Sequence, residues 1–308
     1  MQGRDARFTR AAWLFLGYLV AVILFGAWVR ISHSGDGCGS NWPTCHGEVV
    51  PTDPTAATLI EFTHRLTSGL CGVFGLALLA WAWVRFRWSP VTRAVALTLL
   101  FVVFEGAIGA GLVLAELVAD DDSAARAVVI ALHLTNTLAL TAFASLAAWR
   151  SGQDWQPPFI GRRRLAFAAA LALVVLAAMS GAVTALGDTL FPREVTVGEG
   201  LLAEIRDDLS ASNHFLVRLR VLHPGLAVIA AAYLIWLLQS EAETNRWARA
   251  AVYLVAAEVA VGFFNIGLSA PGWLQIVHLM AAQALWVALI LTCASLDDRS
   301  RRQPLSSL

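Results

Sequence analysis

Long apolar runs, each closed by arginines or by a short acidic stretch, divide the chain into eight segments of membrane-crossing length. They cover residues 11–31, 59–84, 92–116, 126–149, 164–186, 215–238, 247–268 and 273–295. About 20 apolar residues suffice for a helix to cross roughly 30 Å of hydrocarbon. The pattern predicts an all-α integral membrane fold of eight helices with both termini on one side. Arg4, Arg7 and Arg10 precede the first span, Arg85, Arg87 and Arg93 flank the second connection, and Arg150, Arg162, Arg163 and Arg164 flank the fourth. Arg246 and Arg249 lie in the sixth connection, and Arg299, Arg301 and Arg302 follow the last span. Fifteen of the 22 arginines therefore share one side, which the positive-inside rule makes cytoplasmic. The opposite loops are acidic, with Asp120, Asp121 and Asp122 in one and Glu194, Glu199, Glu204, Asp207 and Asp208 in another. The first span ends in Arg30 without a small-residue cleavage site, and no transit segment precedes it, so it reads as a retained helix. The expectation is a multi-pass plasma-membrane protein with cytoplasmic termini.

Composition agrees. Of 308 residues, 58% are hydrophobic and only 14% charged, against about 25% charged in soluble domains. Soluble, disordered and disulfide-scaffold classes are excluded, and a net charge of zero offers nothing to a nucleic acid.

The chain also repeats itself at an offset of about 150 residues. Gly26-Ala27 near the end of span one matches Gly181-Ala182 in span five, and Glu105-x-x-x-Gly109 in span three matches Glu258-x-x-x-Gly262 in span seven. His133-Leu134 in span four matches His278-Leu279 in span eight, and His64 in span two pairs with His223 in span six. Two halves, 1–150 and 151–308, with an even number of spans each, run parallel. This predicts two four-helix bundles related by a pseudo-twofold axis along the membrane normal.

His64, His133, His223 and His278 stand one to each even-numbered span. Each lies about five to eight residues, roughly 7–12 Å, from the outer end of its helix. A single intramembrane histidine is most simply an interhelical hydrogen bond, but four at one depth, two per repeat, suggest a cofactor. A haem takes an axial imidazole on each face, supplied by facing helices at one level. His64 with His133 and His223 with His278 meet that need. Zinc or copper would want closer ligands or ligands mixed with Cys and carboxylate, and Cys71 and Cys293 read as small apolar fillers.

The halves then diverge. Span two reads Glu61-Phe62-Thr63-His64-Arg65 where span six reads Arg220-Val221-Leu222-His223-Pro224. Glu61, one turn before His64 on the same face, can exchange protons with a group over the same macrocycle or be a helix-end charge favoured by the dipole. Arg65 can pair with a haem propionate or snorkel to the interface. Only the first outer loop carries Cys38 and Cys45, with six residues between them. On the oxidising side these suggest a disulfide, either a static staple or a redox-active relay, with a Cys-Cys-His metal site as a third reading. His33, His46 and His214 read as solvent-facing loop residues. Glu105 and Glu258 read as structural groups hydrogen-bonded within the bundle.

Together the Glu61-x-x-His64-Arg65 motif, the Gly-rich segment from Val29-Arg30 to Trp42-Pro43 with its paired cysteines, and the four histidines resemble the haem A synthase family over nearly the whole chain. The resemblance implies an oxidoreductase that oxidises the C8 methyl of haem O, through a hydroxymethyl, to the formyl of haem A for haem-copper terminal oxidases. It implies substrate haem O between His64 and His133 with Glu61 catalytic, haem b between His223 and His278 for electron transfer, and Cys38 and Cys45 as the family's outer-loop pair. A haem O synthase, terminal oxidase assembly factors and membrane lipids are the implied partners. Glu105 departs from the family pattern, where a neutral polar residue is expected. A di-haem b electron-transfer cytochrome shares the four histidines but has no use for Glu61 or the cysteines. A transporter would want helices broken at the midplane, and a prenyltransferase would want Asp-rich motifs within the membrane.

Overall fold

In the computed structural model, which describes residues 5–153, 163–192 and 206–299, eight helices are long and apolar enough to cross a membrane. The helices are α1 (Ala6–Ile31), α2 (Ala56–Phe86), α3 (Pro90–Leu114), α4 (Ala124–Ser151), α5 (Arg164–Leu190), α6 (Phe215–Leu219), α7 (Leu222–Ala242), α8 (Arg246–Gly267) and α9 (Gly272–Arg299). Arg4, Arg162, Glu194, Glu199, Glu204, Arg301 and Arg302 lie outside the described residues. A helix satisfies its backbone polar groups internally, which a chain in hydrocarbon requires. The ends follow local rules. Asp5, Thr55, Ser89 and Ser123 cap α1 to α4 by accepting N–H groups of the first turn, and Asn245 does the same for α8.

One span departs from expectation. The sixth is not continuous, since α6 and α7 are separated by a turn at Arg220 and Val221. Pro224 has no N–H to offer the carbonyl of Arg220 four residues back, so the ladder breaks there, while the same proline sits without penalty in the first turn of α7.

Packing sorts the helices into two apolar cores. One joins α1 to α4 through Phe8, Leu16, Leu78, Val95, Leu140 and Ala148. The other joins α5, α7, α8 and α9 through Ala170, Leu234, Leu238, Val255 and Leu289. Between them runs a seam in which Leu138 of α4 packs with Trp286 and Ile290 of α9. The Trp286 indole N–H donates to the Leu138 carbonyl at 2.7 Å. At the end of the molecule that carries residues 32–55, Ala127, Leu186 and Leu216 close the same seam. Large apolar side chains such as Val84, Tyr253 and Trp236 point away from both cores, as the outer face of a multi-pass membrane protein must.

Candidate functional site

Between the helices lies a cavity of about 1890 Å³ whose lining includes His64, His133, His223 and His278 together with Glu61 and Arg65. Single-ligand pockets run to roughly 1,000 Å³, so this space exceeds what one ordinary ligand needs. Glycines make room for the imidazoles. A Cβ on Gly26 of α1 would come within 3.0 Å of His64 Cε1, and one on Gly181 of α5 within 2.9 Å of His223 Cε1. The Gly-Ala repeat of the sequence is thus the same imidazole seat used twice.

The second histidine pair is defined most closely. The His223 Nδ1–H donates to the Ala177 carbonyl at 3.0 Å, which leaves Nε2 free. The His278 ring centre lies 6.2 Å from that of His223, with the rings inclined at 70°. Two metal–imidazole bonds of about 2 Å each, added to the half-width of each ring, come to much the same separation. The pair therefore fits one iron held from both sides.

Two carboxylates stand behind the histidines. Glu258 Oε2 of α8 lies 3.0 Å from His278 Nδ1, and Glu105 Oε1 of α3 lies 3.6 Å from His133 Nδ1. They read from the sequence as structural groups, yet each stands beside a histidine of its own half. They also differ. Glu105 accepts hydrogen bonds from Asn136 and Thr137, whereas Glu258 Oε1 is buried with no partner among the described residues.

Glu61 is almost fully buried, at 3% exposure. Its Oε2 accepts the Cys38 amide N–H at 2.8 Å, and its Oε1 accepts two donors of Arg65, Nε at 3.0 Å and Nη2. Nη1 of Arg65 donates to the carbonyls of Asn41 and Thr44. The guanidinium thus clamps residues 38–45 onto the turn of α2 that bears Glu61. Cys38 and Cys45 are disulfide-bonded and buried, so neither sulfur is available as a thiolate for a Cys-Cys-His metal site. The loop sits so close to α2 that a Cβ on Gly37 would lie 2.4 Å from the Ala57 backbone. In the second half, the position of Glu61 relative to the histidine is taken by Arg220, buried and 3.0 Å from Asp188. A carboxylate in one half faces a guanidinium in the other.

The loop histidines stay outside this constellation. His46 is exposed and bonds the Gly37 carbonyl at 2.9 Å. His33 stands at the rim, 4.0 Å from Asp120. His214 pairs with Asp122 at 3.5 Å and stacks on Phe191. Two residues given no site role in the sequence do line the cavity, Arg30 of α1 and Arg126 of α4. Arg30 marks the end of a span and Arg126 the start of one, and an interfacial arginine at a helix end is ordinarily a snorkelling residue.

Comparison with known proteins places the chain among relatives of stated name. The chain is 43% identical, along 97% of its length, to a Thermus thermophilus protein named protoheme IX farnesyltransferase, of which it covers 50%. It is 45% identical over 31% of its length to a heme A synthase of Halalkalibacterium halodurans, covering 32% of that protein. It is 38% identical over 46% of its length to a heme A synthase of Symbiobacterium thermophilum, covering 44% of it. The chain thus spans about half the length of the relative it matches from end to end. Residues 9–290 match the COX15-CtaA family, and with that coverage the chain belongs to this family of cytochrome oxidase assembly proteins.

Proposed function

We propose that this chain is a haem A synthase, an oxidoreductase that converts the C8 methyl of haem O, through a hydroxymethyl, to the formyl of haem A. The observation that carries the proposal is Glu61, a buried carboxylate in the wall of the histidine-lined cavity, one turn from His64 and held by the Cys38 amide and Arg65. A carboxylate offers about four acceptor positions. Three are taken by Cys38 and Arg65, and the fourth is free to take a proton from a water or from the hydroxymethyl oxygen of the substrate.

In this reading residues 1–150 form the substrate half, in which His64 and His133 would hold haem O, and residues 151–308 form the half in which His223 and His278 would hold haem b. Haem b there would supply one-electron redox chemistry. The rest belongs to the chain. Gly26 and Gly181 seat the imidazoles, Glu105 and Glu258 orient His133 and His278 through Nδ1, and Arg65 orients Glu61 and the loop above it. Cys38–Cys45 keeps the Cys38 amide aimed at Glu61. The arginine-rich connections put both termini in the cytoplasm of a plasma-membrane protein, with the disulfide loop on the opposite, oxidising side. The terminal oxidase whose assembly the family serves is the destination of the product. A haem O synthase is the natural supplier, a partnership supported by the longer relative named protoheme IX farnesyltransferase.

Expression in cells that make haem O but lack haem A synthase, followed by haem extraction and chromatography with mass detection, tests this. Haem A or its hydroxymethyl precursor is the expected product. Haem B and unmodified haem O alone, with both histidine pairs spectroscopically occupied, would leave an electron-transfer cytochrome instead.

A further inference from the structure

Two arginines line the cavity wall with hydrogen bonds only to neutral partners. Arg126, in the first turn of α4, is 6% exposed. Its Nη1 donates to the carbonyls of Ala119 and Asp121 at 2.7 and 2.6 Å, and its Nε is buried without a partner among the described residues. Arg30, in the last turn of α1, donates to the Ala185 carbonyl, to Thr189 Oγ1 and to Gln275 Oε1, all of them neutral. Among the described residues neither has a carboxylate oxygen within 4.0 Å; Asp188 acts on Arg30, and Asp121 and Asp120 on Arg126, only from farther away. Buried charges in proteins are paired or serve a ligand. These two line the same cavity as the four histidines.

Their level along the helices is informative. Arg30 is four residues beyond Gly26, the seat of His64, and Arg126 is seven residues before His133. At 1.5 Å per residue these are displacements of about 6 and 10 Å, both toward the end that carries the disulfide loop. Glu61 is displaced the same way from His64, by about 4.5 Å. A ring held between His64 and His133 therefore has one edge toward Glu61, Arg30 and Arg126, and the opposite edge toward the apolar depth of the cavity.

We propose that Arg126 and Arg30 form the carboxylate-binding subsite for the propionates of the haem held between His64 and His133, and that this subsite decides which edge of the ring meets Glu61. The inference rests on the reading of the cavity as the haem O site. Guanidinium groups suit carboxylates because their N–H donors match the two oxygens. In a protohaem-type ring the C8 methyl shares its pyrrole with a propionate, whereas the prenylated C2 substituent lies on the half of the ring remote from the propionates. Anchoring the propionates at Arg126 and Arg30 thus carries the C8 methyl to the Glu61 edge and sends the prenyl chain into apolar surroundings. Arg65 does not compete for this role, because its donors are committed to Glu61, Asn41 and Thr44.

The test compares ferric haem B with its dimethyl ester, which keeps the ring and iron but removes both negative charges. Each is titrated into the haem-free full-length chain carrying His278→Ala, so that only the first pair makes a six-coordinate haem, and the Soret band is followed. The free acid should bind about tenfold more tightly than the ester, the scale of one charge-assisted hydrogen bond. Arg126→Gln should bring the ratio to within about twofold while leaving ester affinity unchanged, and Arg126→Lys should retain part of it. Unchanged ester affinity reports that the variant is folded. If Arg126→Gln loses ester binding as well, Arg30→Gln takes its place. Equal binding of acid and ester before any arginine is changed overturns the proposal. So does a preference that survives both glutamine variants, or one found only at the second pair in His133→Ala protein. If neither probe yields a bis-imidazole spectrum at either pair, the haem-site reading itself fails, which is a different outcome.

Discussion

At the scale of single residues, four positions separate the roles of the site. Glu61→Gln keeps the shape but removes the proton acceptor, and its amide nitrogen can replace neither oxygen as an acceptor from Cys38 or Arg65. It should lower haem A formation by about 10²–10⁴-fold with haem content per protein unchanged, as haem extraction and optical spectra will report. Gly181→Ala places a methyl 2.9 Å from His223 Cε1, so the imidazole must move. The expected outcome is loss of haem from the second pair alone, read from haem-to-protein stoichiometry. Glu258→Gln removes an anionic acceptor 3.0 Å from His278 Nδ1. An acceptor there makes the imidazole a more basic ligand and favours the oxidised iron, so its loss should raise the midpoint potential. A tenfold change in the oxidised-to-reduced ratio is about 59 mV for one electron, and redox titration of the variant checks it. Glu105→Gln should shift its haem less, because Asn136 and Thr137 already draw on that carboxylate.

At the scale of elements, the loop between α1 and α2 sets the surroundings of Glu61 and Arg65. Cys38 lends Glu61 its backbone N–H, Asn41 and Thr44 lend carbonyls to Arg65, and the disulfide holds these donors and acceptors in one turn of chain. Opening the disulfide, by reduction or by Cys45→Ser, should release the amide from Glu61. Turnover then falls while the spectrum of the haem at His223 and His278 is unchanged. A loop serving only overall stability would alter both, so measuring turnover and spectrum on one sample distinguishes the two. The break between α6 and α7 is the counterpart in the second half. There Arg220, at the position corresponding to Glu61, is spent on Asp188 and on the carbonyls of Gly187 and Phe191. The half without a carboxylate at that place uses it to pin a helix junction.

At the scale of the whole molecule, both histidine pairs open into one cavity that runs beside the seam of α4, α5 and α9. A ligand that binds only the folded chain stabilises it by mass action, about 2.7 kcal/mol at a hundredfold excess over Kd. Haem loading should therefore raise the melting temperature. His64→Ala and His223→Ala should each remove part of that rise, and thermal melts with and without added haem measure it. If either substitution alone abolished the whole increment, the two sites would not be independent.

Much of this was legible in the amino-acid sequence, because the signals are local. Apolar run length determined the eight spans, and the repeat put one histidine at matching depth in each even span, whereas the helices capped by Asp5, Thr55, Ser89 and Ser123 start two to five residues before the apolar runs begin. Glu61 beside His64 needed only helical periodicity. Contacts between helices were not legible, since the rotation of each helix about its axis is set by packing with segments distant in the chain. The sequence offers Glu105 and Glu258 as polar residues inside spans, and only the juxtaposition of α3 with α4 and of α8 with α9 sets them against His133 and His278. Arg65 looks free for a propionate until the loop folds over it and takes its donors. Arg30 and Arg126 look like interfacial arginines until tertiary packing turns them into the cavity wall, where Arg126 is buried and its Nε is left without a partner among the described residues.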